Sequence, residues 1–132
     1  MGPDEMKCET LREAFGREWA LAAGARKAGD LERALHHLER AHILGQRRTR
    51  LHVQSHIGML ALGWQLRDRR EIAGQLTRII GAALFTWLWV PDGNTGSTRV
   101  GAFQPMQIPD DLRAIIERSR RNGGRAWMQF KP

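Results

Sequence analysis

Leu31-Glu32-Arg33-Ala34-Leu35-His36-His37-Leu38-Glu39-Arg40-Ala41-His42-Ile43-Leu44-Gly45 decides the fold. Within it Leu31, Ala34, Leu35, Leu38 and Ala41 recur at steps of three and four, which places them on one face of an α-helix. Gly29 and Asp30 just ahead supply a stop for the preceding segment and an N-cap for this one, and Gly45 ends it. Towards the N-terminus, Leu11, Ala14, Phe15, Ala22 and Ala25 repeat the same period over residues 11–27. A helix there must run antiparallel to the quoted one. Towards the C-terminus a polar turn over residues 46–50 leads into Val53, Ile57, Leu60 and Trp64, the stripe of a third helix. Asp68, flanked by Arg67, Arg69 and Arg70, separates that helix from a fourth over residues 71–89.

Pro91 ends the fourth helix, and residues 91–109 are too rich in turn formers to be regular. They are expected to form a long strap that closes an apolar groove with Val100, Phe103, Met106 and Ile108. A short helix opens at Pro109 with Asp110 and Asp111 in its first turn and is expected to reach about Arg121. The Gly123-Gly124 pair then breaks it, leaving residues 122–132 as a mobile tail. The expected architecture is all-α: one domain over residues 1–132, with a helical core over residues 10–89.

A constant offset carries Leu21 onto Leu60, Ala22 onto Ala61, Gly24 onto Gly63, Glu32 onto Glu71 and Ala34 onto Ala73. The first half resembles a tetratricopeptide repeat, with Leu21-Ala22 in mid-helix, Gly29-Asp30-Leu31 at the turn, and Ala34, Leu38 and Ala41 spaced as in the second helix. The second half departs from it, because Arg69-Arg70 replaces the Asp-Leu turn and Thr77 stands where Leu38 would. The reading is two antiparallel, tetratricopeptide-like helical hairpins.

At 132 residues the chain is one domain's worth, and 42% hydrophobic with 27% charged residues is a globular composition. One cysteine, Cys8, excludes an intramolecular disulfide and a cysteine-only zinc site. The start Met1-Gly2-Pro3-Asp4-Glu5 lacks the order of a signal peptide, so the expected compartment is the cytoplasm. Residues 79–90 carry no charge, but the run is shorter than the roughly 20 residues that cross a bilayer. It reads as a buried helix, not a transmembrane segment. The net charge of +7 is mostly arginine. With no nucleic-acid motif beside it, this charge reads as solvated helix surface, and nucleic acid is not the expected partner. No phosphate loop follows a strand and no Gly-x-Ser-x-Gly elbow exists, so no reaction and no organic cofactor are assigned.

The sharpest signal is the histidine spacing. His42 lies four after Leu38 and seven after Leu35, so it points where the core should be, and Glu39 lies three before it. On the third helix His52 and His56 are one turn apart, with Met59 a turn further along. Antiparallel packing through the short turn brings His42 level with His52 and Glu39 level with His56. Glu18 on the first helix comes level with Glu39 and takes an interior slot, where a carboxylate needs protonation, an arginine or a metal. Imidazoles and carboxylates on facing helices are how bundles hold zinc, iron, manganese or copper. The expected ligand set is therefore Glu39, His42, His52 and His56, with Glu18 as a fifth. Affinity would fall as pH drops through the ordinary histidine range near about 6.5. The competing expectation is a core histidine cluster without metal. His36 and His37 flank the stripe and read as solvent-facing.

The run of residues 38–46, then His52, His56 and Met59, Gly93-Asn94-Thr95-Gly96, and Pro105-Met106-Gln107-Ile108-Pro109-Asp110-Asp111-Leu112 resembles a family of short bacterial proteins known only as a domain of unknown function. The resemblance implies bacterial origin and carries no activity. Two functions follow as expectations. One is transition-metal binding at the Glu/His cluster. The other is an interaction module, taking a protein partner or forming a homo-oligomer through the Trp-rich fourth helix.

Overall fold

The computed structural model describes residues 9–85, 95–101 and 105–128. Among them are five helices and no strand: α1 (Leu11–Lys27), α2 (Leu31–Gly45), α3 (Thr49–Leu66), α4 (Arg69–Phe85) and α5 (Asp110–Met128). The fold is all-α, and no described helix is long and apolar enough to cross a membrane. Cys8, Phe103, and the tryptophans of the expected fourth-helix extension lie outside the described residues.

Local chemistry sets the helix ends. The Glu13 N–H donates to the Thr10 hydroxyl at 3.2 Å while the Thr10 N–H donates to the Glu13 carboxylate at 2.8 Å, a capping box that opens α1. The Asp30 carboxylate accepts from the Arg33 N–H at 3.1 Å to start α2. Arg67 closes α3 in the left-handed region at φ 55°, its N–H turned back to the carbonyls of Gly63 and Trp64. Asp68 follows, and its carboxylate accepts from the N–H groups of Arg70 and Glu71 at 3.0 Å each, which caps α4.

Short connections make successive helices antiparallel neighbours: α1 packs on α2, α2 on α3 and α3 on α4, while α5 lies against α1 and α2. Two apolar clusters hold them. Ala14, Phe15, Ala41, Ile43, Leu44, Leu112 and Ile116 join α1, α2 and α5, with Ile108 packed against them. Ala22, Ala34, Leu35, Leu38, Met59 and Leu62 join α1, α2 and α3, and Trp19 borders both clusters. Burying one large side chain of this kind contributes about 1.5–3 kcal/mol. Gly58 sets how closely α3 approaches. A Cβ there would lie 2.7 Å from Leu38 Cδ2 and 2.9 Å from Trp19 Cζ3, so any larger residue would have to displace these side chains. That close approach brings the histidines of α2 and α3 together.

Two expectations change. The last helix does not stop near Arg121 but runs through Gly123-Gly124 to Met128. Glycine only weakens a helix, by about 1 kcal/mol per residue, and removes no hydrogen bond as proline does. The strap is also more polar than expected. Ile108 does seal apolar surface, but residues 95–100 are held by hydrogen bonds to α4 and cross a polar site.

Candidate metal centre

His42 comes from the inner face of α2, and His52 and His56 from one face of α3. All three are buried, at 3%, 8% and 3% exposure. Their ring centroids lie 4.7–4.9 Å apart. One ring nitrogen from each falls within 4.8 Å of the other two.

Two of the three tautomers follow from neighbouring oxygens. The Ser55 hydroxyl donates to the His52 carbonyl at 2.7 Å, so the 3.1 Å contact from His42 Nδ1 must be an N–H donated to Ser55 Oγ. Gln75 turns its amide nitrogen to the Glu71 carboxylate at 2.7 Å and the Gly96 carbonyl at 3.1 Å, both pure acceptors. Its carbonyl oxygen therefore faces His56, 2.7 Å from Nδ1, and Nδ1 carries the proton. Both rings are left with a lone pair on Nε2. His56 Nε2 meets His52 Nε2 at 3.2 Å. Two nitrogens on a tetrahedral zinc, with bonds of about 2.0–2.1 Å, stand about 3.3–3.4 Å apart.

The rings are neutral. Burial, reinforced by mutual repulsion and by the charge of Arg78, holds His42 well below the ordinary histidine value. Burial and the neighbouring His56 push His52 down to about 3. Burial pushes His56 down to about 4, against the opposing hydrogen bond to Gln75. Neutral imidazole is the form that binds metal.

Around the rings lies a polar shell that hydropathy patterns do not reveal. His56, Gln75 and Glu71 form a relay from imidazole through amide to carboxylate, the arrangement that orients ligating histidines elsewhere. The Thr98 hydroxyl donates to the other Glu71 oxygen. Gly96, at φ +78°, presses against His42, and a Cβ there would fall 2.6 Å from Nδ1. Arg78 donates to the carbonyls of Gly96 and Val100, pinning the strap across the site. The one sequence trace of this shell is the Glu71/Gln75 pair, one turn apart on α4, which becomes meaningful only once α4 is docked on α3.

Neither expected carboxylate belongs to the group. Glu18 is buried at 1% exposure, but His37 Nδ1 meets it at 2.7 Å, Arg17 at 2.8 Å and Arg40 at 3.1 Å. Burial would push its carboxyl up, and the His37 and Arg40 hydrogen bonds with the charges of Arg40 and Arg17 outweigh it and hold the pKa low. Of the three ways to satisfy an interior carboxylate, arginine is the one used. His37 is accordingly half-buried rather than solvent-facing, while His36 is exposed. Glu39 lies towards the strap, hydrogen-bonded to Ser97. Burial raises its pKa, opposed by Arg99 and Ser97 and helped by Glu71 and Glu32.

The model of the family described as "Protein of unknown function (DUF3703)" matches residues 9–116. The chain belongs to the DUF3703 family. The match takes in α1 to α4, the strap and the start of α5, so every residue of the histidine site of this DUF3703 chain lies within it. No curated protein and no solved structure matches the chain.

Proposed function

We propose that this protein binds one transition-metal ion through Nε2 of His42, His52 and His56 and serves in metal handling in the cytoplasm. The carrying observation is the tautomer lock: Ser55 and Gln75 occupy the Nδ1 protons of two rings and leave their Nε2 lone pairs available to a metal. With the carboxylates outside the donor set, three neutral imidazoles suit zinc, copper or iron, and manganese drops out. Untagged protein is expected to carry close to one metal per chain by elemental analysis, and His42→Ala or His56→Ala to lose it while keeping the helical circular-dichroism signal. A metal-free protein whose melting temperature ignores added zinc, copper and iron refutes the reading.

A second reading has its own observation. Leu76, Ile80 and Leu84 lie four residues apart on α4 and are 50%, 62% and 58% exposed, and Trp64 on α3 is 72% exposed. This apolar surface, on hairpins read as tetratricopeptide-like, would take a protein partner or a second copy. A strictly monomeric chain that captures no partner, and whose sizing profile is unaltered by Ile80→Glu, counts against it.

A further inference from the structure

The metal reading leaves an unbalanced charge. Three imidazoles contribute none, so a divalent ion at their Nε2 atoms would bring its full charge into a buried site, a costly arrangement without an anion. The nearby protein charges do not supply one. Glu71 favours a positive charge at His56, but it is offset by the Arg78 guanidinium, which opposes one at both His42 and His56. Glu39 lies outside the donor group, in a setting that disfavours its charged form.

The covering strap offers one more group. Thr95 Oγ1 is a buried polar atom with no hydrogen-bond partner among the described residues. Its neighbour Gly96 lies against His42. Buried hydroxyls are rarely left without a partner, and this orphan belongs to the residue that precedes the Gly96 packed on His42, so it is the group within the strap that a ligand's acceptor atom would satisfy. Three protein ligands with a fourth position open is also the pattern of zinc sites that accept exogenous groups.

From these observations, and resting on the metal reading, we infer that the fourth position takes a small monovalent anion, hydroxide or an exogenous one, that accepts a hydrogen bond from Thr95. The anion halves the charge of a divalent ion, completes a tetrahedral set and satisfies the orphaned hydroxyl.

The test uses the full chain loaded with cobalt(II) and titrated with sodium azide, followed by visible absorption. One cobalt per chain is expected, with a saturable spectral change at one azide per cobalt. Thr95→Val is expected to bind cobalt equally but azide about tenfold or more weakly, as for loss of a hydrogen bond to a charged acceptor, and Thr95→Ser to restore it. Cobalt stoichiometry in each variant reports that the site is formed. If cobalt binds and azide leaves the spectrum unchanged, the open position is wrong and the metal site stands. If Thr95→Val binds azide as the parent does, the role of Thr95 is overturned. A chain that takes up no cobalt refutes the metal site and this inference with it.

Discussion

Gln75 carries an amide whose two ends face opposite chemistries, a carboxylate on one side and an imidazole N–H on the other. The planar amide of glutamine offers a donor and an acceptor at once, and at this position it reaches both partners. Gln75→Leu leaves His56 Nδ1 and Glu71 without this partner, so metal affinity should fall by about 10–100-fold, as for other groups that orient ligating histidines. Competition against a chelator of known affinity measures it, and unchanged affinity would mean that the relay does not position His56. Gly96 is constrained differently. Alanine there combines a left-handed backbone with a Cβ only 2.6 Å from His42 Nδ1, so Gly96→Ala should cost about 1–3 kcal/mol in urea unfolding and loosen the metal site as well. At this scale the histidines were legible because helical spacing is local. The oxygen partner of His56 on α4, Gln75, was not, because no spacing within one helix encodes a contact to another.

Helix-level order rests partly on Glu18, which gathers Arg17 from its own helix and His37 and Arg40 from α2. Arg40 reaches onward to Asp111 on α5, so one buried carboxylate ties three helices. Glu18→Gln removes the charge and keeps the shape. It should cost about 1–3 kcal/mol of stability, the scale of a disrupted charged hydrogen bond with partly exposed partners. Metal stoichiometry should stay unchanged, and loss of metal on Glu18→Gln would restore Glu18 to the donor set. The interior position of Glu18 was readable from its flanking Phe15 and Ala22, whereas the choice of arginine over metal was not, since Arg40 lies on another helix. The four-helix order was likewise legible from stripes and caps. The course of the strap was not, because it is fixed by Arg78 to Gly96, Thr98 to Glu71 and Arg99 to Glu32, contacts between distant residues without a period.

For the molecule as a whole, burial of three neutral histidines sets how stability follows pH. In the unfolded chain they titrate near about 6.5, whereas in the folded chain His56 waits until about 4 and His52 until about 3, with His42 also held well below its ordinary value. Between those limits the unfolded state binds more protons, so stability is fully present above about pH 6.5 and is lost as pH falls towards 4. The same shift moves the window for metal. An ordinary histidine site would release its ion near about pH 6.5, but here the folded chain already holds its imidazoles neutral, so protons compete for the Nε2 atoms only towards pH 4. Urea unfolding against pH, with and without chelator, should therefore give two curves that fall together below about 6.5, separated by a nearly constant gap that closes only near 4. Curves that merge already at pH 6 would show that the imidazoles titrate as if exposed, and curves that superimpose at every pH would show that no metal is shared among them.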